Sequence, residues 1–436
     1  MSRSVLLHVQ YLLGIGHLQR SLRIAGALAH DGITVTLVNG GPPAPELAAD
    51  PKVRVVQLEP VRARDASFAL VDDAGQPIGD TLRARRQEAL LAAFAAARPD
   101  AVVIEGFPFA RRAFAFELDP LIAAAQAATP RPPVICSVRD IIAWRDDSAR
   151  HRAIAERVCR DFDAVLVHGD PKLISFEASF PAAPDIADRL IYTGYVYEPH
   201  LTLPSLRDGP LPLPPDGRRG KLAATRRDAP LSATGDEEGR GEVGDSIPRG
   251  GVVVSAGGGA AGAALLNAAL AARRDGCLAD APWRLLTGAN LPEPEYAALC
   301  RSAPAGVTVE RFRPDLPALL RQCRVSVSQA GYNTVLDILL ARARAVLVPF
   351  AAERETEQLM RAERLAALGA AVLVRESDLS PATLATAIER AAARQPARVM
   401  VNTDGAANSA RIIAALIDGC PVGHLAAKTG KAMIGQ

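Results

Sequence analysis

Twice along this chain a short apolar run ends in a glycine cluster and passes straight into a helical pattern. No other feature restricts the fold as much. The first instance is Val5-Leu-Leu-His-Val9, then Leu13-Gly14-Ile15-Gly16, then a helix from about His17 to His30. The second is Gly251-Val-Val-Val-Ser255, then Gly257-Gly-Gly259, then a helix from about Ala261 to Arg274. Apolar runs of this length with no polar alternation belong to strands covered on both faces, as in parallel sheets flanked by helices. Each half therefore opens on a β-loop-α unit.

The alternation continues through both halves. In the first, strands are expected at Ile33–Val38, Val53–Gln57, Ala101–Ile104, Pro133–Cys136, Ala164–Val167 and Leu190–Thr193, with helices at Thr81–Ala97, Phe114–Ala128 and Arg150–Arg160. In the second, strand-like runs fall at Trp283–Thr287, Val307–Val309, Val325–Ser328, Ala345–Val348 and Ala371–Val374, and a last helix covers about Asn408–Ile417. Strand and helix alternating at this rhythm predict α/β architecture, two Rossmann-like doubly wound domains. The expected boundaries are 1–200 for the first domain and 251–403 for the second. A linker or insertion rich in Pro, Gly and charge is expected over 201–250, a C-terminal helix over 404–419, and a disordered tail over 420–436.

Composition narrows the function classes. The 436 residues are 49% hydrophobic and 22% charged, enough for two globular cores. A net charge of +2 provides no field for nucleic acid, and no basic block is interleaved with aromatics. The clusters Arg83-Ala-Arg85-Arg86 and Arg218-Arg219-Gly-Lys221 are expected to be solvated surface. The six cysteines form no Cys-x-x-Cys pair and have no metal-ligand spacing with histidine, so free thiols are expected. The first apolar run is too short for a signal peptide or a membrane span, and a cytoplasmic location is expected.

In open α/β sheets ligands meet the carboxyl ends of strands, and polar residues there are the candidates. The first loop carries Gly14, Gly16, His17 and Arg20. His17 falls in the first turn of a helix, where the dipole disfavours its cation and leaves a neutral proton acceptor. Arg20, one turn on, could meet an anion. Glu105 and Arg111 lie in Glu105-Gly-Phe107-Pro-Phe109-Ala-Arg111, and Arg139-Asp140 ends the next strand. His17 is the first candidate base, with Glu105 and Asp140 second. The second loop, Gly257 to Gly262, satisfies Gly-x-Gly-x-x-Gly but lacks the acid that dinucleotide binding needs after the next strand, so NAD is not expected. The most specific stretch is Ser328-Gln-Ala-Gly331-Tyr-Asn333-Thr334-Val-Leu-Asp337, followed by Val346-Leu-Val-Pro349-Phe350 and Glu357-Gln358. Free amides at a helix start there could hold a diphosphate without a metal, and Asp337 could accept from two ribose hydroxyls.

This stretch resembles the donor-binding half of GT-B glycosyltransferases, in the group that includes the UDP-N-acetylglucosamine transferase of lipid II synthesis. The whole chain from Val5 to Ile417 resembles bacterial predicted glycosyltransferases of this type, and Gly14-x-Gly-His17-x-x-Arg20 is also close to UDP-sugar hydrolases of the same fold. By that resemblance Asp337 matches the ribose-binding acid and Gln358 the glutamine that contacts the sugar. Glu310-Arg-Phe312-Arg313 matches the segment whose backbone reads the uracil edge. Gly257, Gly258 and Gly259 match a Gly-Gly-Ser loop. The resemblance implies an inverting, metal-independent transferase that takes a nucleotide-sugar donor, with UDP the expected nucleotide, and an unidentified acceptor. No cofactor, no nucleic-acid partner and at most peripheral membrane contact are expected. A UDP-sugar hydrolase, a 2-epimerase and a non-catalytic nucleotide-sugar sensor stay open as alternatives.

Overall fold

The computed structural model describes residues 3–12, 15–45, 47, 49–64, 69–142, 147–197, 250–257, 262–288, 291–313, 315–350 and 356–426. All of the expected linker over 201–250 except Gly250 lies outside the described residues.

The first lobe is a seven-stranded, all-parallel sheet. Its strands are β1 (Ser4–Val9), β2 (Thr34–Asn39), β3 (Val53–Gln57), β6 (Ala101–Glu105), β7 (Val134–Arg139), β8 (Ala164–His168) and β9 (Leu190–Tyr192), in the order β3-β2-β1-β6-β7-β8-β9. A small antiparallel pair, β4 (Arg62–Ala63) and β5 (Leu70–Val71), is too short to be legible as a periodic run. Helices α1 (Gly16–His30), α2 (Asp80–Ala97), α3 (Ala115–Ala127) and α4 (Ser148–Asp161) cover the faces. The apolar strands divide their side chains between two cores. Leu6, Val102 and Ile104 enter one, while Val5, Leu7, Val9, Ala101 and Val103 enter the other. This two-sided burial explains why the strands show no polar alternation.

The second lobe repeats the plan with six parallel strands, β10 (Val252–Ser255), β11 (Trp283–Leu286), β12 (Val307–Glu310), β13 (Val325–Ser328), β14 (Ala345–Leu347) and β15 (Ala371–Leu373), in the order β12-β11-β10-β13-β14-β15. Its helices are α5 (Ala263–Asp275), α6 (Glu293–Ser302), α7 (Leu316–Gln322), α8 (Tyr332–Ala341), α9 (Glu357–Ala367) and α10 (Pro381–Ala392). In both sheets the winding direction reverses beside the first strand. The reversal falls at β1/β6 in one lobe and β10/β13 in the other, and a doubly wound sheet opens a ligand crevice at such a point. His17 follows β1 and Glu105 ends β6, while Gly257 follows β10 and Ser328 ends β13. The glycine loops and the strand-end residues therefore gather at the two crevices.

Helix α11 (Gly405–Ile417) leaves the second lobe and packs on α1. Its Ala410, Ile412, Ile413 and Leu416 join the first-lobe core. The expected disordered tail needs correcting over its first residues. Residues 422–426 are helical and Leu425 is buried against the same core, because the apolar side chains after Cys420 find a surface to cover. Residues 427–436 lie outside the described set. Arg86, expected on the surface with its neighbours, is 1% exposed. It makes a bidentate pair with Glu117 at 2.9 and 2.8 Å and donates to Gln10 at 2.8 Å, a guanidinium paid for by full hydrogen bonding.

The lobes meet through a continuous core. Ile141, Leu173, Ile174 and Tyr195 of the first pack with Val335, Leu336, Ala362 and Leu365 of the second. Inside that contact Arg361 Nη2 donates to Asp140 Oδ1 at 3.0 Å, Arg361 Nη1 donates to the Ala330 carbonyl at 3.0 Å, and Tyr195 Oη donates to Asp140 Oδ2 at 3.2 Å. Removing one member of a buried pair leaves an uncompensated charge. Arg361→Met is therefore expected to lower stability by about 3–5 kcal/mol, and Asp140→Asn in the same chain to recover part of that loss. Denaturant unfolding of the two variants measures both.

Candidate active site

The first-lobe crevice holds a tightly hydrogen-bonded group of ionisable side chains. α1 begins without a side-chain cap, so the His17 imidazole is not spent on the helix start. It turns instead toward β6, where Nδ1 stands 2.7 Å from Glu105 Oε1. Arg20 Nη2 donates to the same carboxylate oxygen and lies 3.2 Å from His17 Nδ1. Burial by itself raises the Glu105 carboxyl, but the His17 contact and the Arg20 and Arg111 charges outweigh it and hold the group well below the usual carboxylate range. Glu105 is thus ionised and can only accept, so His17 carries its proton on Nδ1. Arg139 Nη2 approaches the other ring nitrogen, Nε2, at 3.0 Å, and a guanidinium can only donate. Nε2 therefore holds the lone pair. Burial pushes His17 down to about 3, with Arg139 and Arg111 acting in the same direction and Glu105 against them. The ring is neutral at physiological pH.

Arg111, expected in a helix turn, sits just before a 3-10 turn with a φ of 60°. Its Nε donates to the Gln10 carbonyl at 2.6 Å, and its terminal nitrogens make no hydrogen bond among the described residues. Gly16 is the first helical residue, with nothing within 4 Å of a Cβ built there. Gly14 lies outside the described residues. Asp140, expected in the cleft as a second base, is corrected by the structure. It is fully buried, and both oxygens are taken by Arg361 and Tyr195 at the lobe junction.

In the second lobe Ser328 ends β13 fully buried, and its hydroxyl makes no hydrogen bond among the described residues. Gly331 is the N-cap of α8 with a φ of −63°, a conformation open to any residue. The expected sharp entry therefore does not need glycine. What the glycine leaves is open space, since a Cβ there meets only Thr334 Oγ1 at 3.7 Å. Asn333 and Thr334 occupy the first turn of α8, half-buried, beside amides that the helix does not use. Asp337, one turn on, is 2% exposed and accepts from the Tyr197 hydroxyl. Burial and the Asp337 carboxylate push that hydroxyl up, so it stays a donor. Gln358 has its carbonyl oxygen committed to the Ala330 and Phe350 amides at 3.1 and 3.2 Å, joining the loops after β13 and β14. Arg313 is committed to Asp315 at 2.8 Å and to Glu310 at 3.3 Å. Beside it Phe312 is exposed, and its backbone N–H and C=O make no hydrogen bond among the described residues. Gly257 has a φ of 70°, as a glycine turn requires. Gly262 packs α5 onto β10, for a Cβ there would lie 2.2 Å from Ala256 Cβ. Gly258 and Gly259 lie outside the described residues.

The crevices face one another. Arg139 Nη1 reaches Glu357 Oε2 at 2.8 Å, linking the end of β7 to the first residue of α9. Tyr332, at the start of α8, donates to the His168 carbonyl at 3.1 Å and accepts from the Val196 amide at 3.1 Å. The structure thus brings His17, Glu105, Arg20, Arg111, Arg139 and Glu357 to one place. Four functional positions escaped sequence reasoning: Tyr195, Tyr197, Tyr332 and Arg361. Only Arg361 left a signal, a cation four residues after Glu357 and next to Ala362 on the apolar side of α9.

Residues 252–417 match the glycosyltransferase family 28 C-terminal domain. A segment of 120 residues is 32% identical to the UDP-N-acetylglucosamine–N-acetylmuramyl-(pentapeptide) pyrophosphoryl-undecaprenol N-acetylglucosamine transferase of Brucella anthropi, covering 26% of this chain and 32% of that protein. The chain thus spans about a third of the length of that relative. Over full length its structure is similar to the calicheamicin glycosyltransferase CalG4, with a TM-score of 0.55 and 18% identity over 100% of this chain and 99% of the other. It is also similar to MurG of Acinetobacter baumannii, with a TM-score of 0.51 and 17% identity over 98% and 99% of the two chains. At such identities the likeness shows the fold. No helix among the described residues is long and apolar enough to cross a membrane. The chain has the two-lobed GT-B fold, and its second lobe matches the glycosyltransferase family 28 C-terminal domain.

Proposed function

We propose that the protein is an inverting glycosyltransferase that moves a sugar from a nucleotide-diphosphate donor to an acceptor hydroxyl. The observation that carries this reading is the His17–Glu105 pair, set at the crevice of one lobe and facing the family 28 domain of the other. The relative's name, which specifies a UDP-N-acetylglucosamine donor, supports a UDP-linked sugar.

In the transfer step the acceptor oxygen attacks the anomeric carbon on the face opposite the diphosphate. His17 Nε2 takes the hydroxyl proton as the new C–O bond forms, and the bond to the diphosphate oxygen breaks with its electron pair. Glu105 keeps Nδ1 protonated and turned inward, and its charge steadies the imidazolium that results. General-base help of this kind is worth about 10²–10⁴-fold. The departing negative charge falls to the free amides at the start of α8, the helix dipole and the Ser328 hydroxyl, a preorganised set that supports a metal-independent scheme. The backbone N–H and C=O of Phe312, which make no hydrogen bond among the described residues, suit the edge of a base. Asp337 takes the ribose hydroxyls once Tyr197 gives up its contact.

His17→Ala is expected to reduce turnover at least tenfold while donor affinity holds. Full turnover in that variant excludes His17 as the base. Asp337→Ala is expected to raise donor Kd with a modest change in kcat, which calorimetric titration with UDP-N-acetylglucosamine reads directly; an unchanged Kd removes Asp337 from the ribose. Activity is expected to persist in EDTA, and its abolition would contradict the metal-independent scheme. Stoichiometric release of free sugar, or epimerisation, from donor incubated without an acceptor sinks the transferase reading as a whole.

A further inference from the structure

A neutral imidazole held down to about 3 is a feeble base, since general-base catalysis is most effective when the pKa lies near the working pH. Its one lone pair is also occupied. Arg139 spans the cleft, with Nη2 3.0 Å from His17 Nε2 and Nη1 2.8 Å from Glu357 Oε2. Its side chain is 27% exposed, so it has room to move, in contrast to the buried Asp140 that follows it. We propose that Arg139 is a positioning residue that masks the proton acceptor until a donor sugar is seated, and that it does so by bridging His17 to Glu357. This rests on the transferase reading above and adds an order of events to it.

The contacts exclude one another. A guanidinium nitrogen on His17 Nε2 fills the position that the acceptor hydroxyl must take. The same guanidinium holds a carboxylate oxygen of Glu357, at the start of α9, that could otherwise accept from sugar hydroxyls. Sugar hydroxyls that win Glu357 release one end of the bridge, and the diphosphate offers the guanidinium a stronger anionic partner than a neutral ring. One displacement then seats the donor and bares Nε2.

The charges around His17 set the sign. Arg20 faces it from its own helix, Glu105 from β6, Arg111 from the loop after β6, Arg139 from β7, and Glu357 from α9 through Arg139. With Arg139 in place three guanidinium groups stand against two carboxylates. With it withdrawn the numbers are equal, and His17 becomes the better base. Removing a charge at this distance moves a pKa by about 1–3 units.

The test follows the His17 ring by NMR in full-length protein labelled with ¹⁵N-histidine, its signals identified by their loss in His17→Gln. In donor-free protein Arg139→Gln is expected to raise the His17 titration midpoint by about 1–3 units. Arg139→Lys, whose single ammonium can serve His17 or Glu357 but not both, should fall between and covers the case in which the glutamine variant fails to fold. Saturating UDP-N-acetylglucosamine should raise the wild-type midpoint by a similar amount and add little in Arg139→Gln. Donor-free midpoints that ignore both substitutions overturn the masking role. Donor that binds by calorimetry yet leaves the wild-type midpoint unmoved overturns the release. Donor that does not bind strikes the proposed function, while the donor-free midpoints still decide whether Arg139 masks His17.

Discussion

The buried ion pair between Asp140 and Arg361 is the contact on which the cleft depends. Each lobe contributes one charge, and neither has access to water. A charge in that setting must be matched on every side. Asp140 is matched by Arg361 and Tyr195, and Arg361 also donates to the Ala330 carbonyl just before the entry to α8. The pair therefore fixes the start of the proposed diphosphate-binding helix relative to the first lobe. Tyr332, through His168 and Val196, adds a second tie at the same level.

Two neighbouring residues at the end of β7 divide the work. Arg139 is the last residue of the strand and points into the cleft toward His17 and Glu357. Asp140 goes down to the junction. The division follows from chain geometry, because successive side chains leave a strand in opposite directions. A rigid junction and an adjustable bridge are thus one residue apart, and movement of the Arg139 side chain need not disturb the joint beneath it.

The electrostatics of the cleft likewise form a single system. Glu105 remains ionised in a buried site because the His17 contact and the Arg20 and Arg111 charges outweigh its burial, and the ionised carboxylate in turn dictates which nitrogen of His17 carries the proton. Burial is the largest cause of the neutral state of His17, and the neighbouring Arg139 and Arg111 act in the same direction.

The strands of the two parallel sheets, the helices, the two-domain grammar, the placing of His17, Glu105 and Ser328 at strand or helix ends and that of Asp337 one turn into a helix were legible in the residues. Each is written locally, in runs of apolar side chains and in the punctuation of glycine. Partnerships were not. Asp140 and Arg361 are 221 positions apart, and Tyr197 and Asp337 are 140 apart. Nothing in the spacing of either pair distinguishes a junction charge from a catalytic one. That Asp140 is a strut, that Glu105 orients His17, and that Arg139 bridges His17 to Glu357 was decided by the tertiary structure alone. The strand order brings β1 beside β6, and the closing of the two lobes sets the dielectric in which each charge must find its partner.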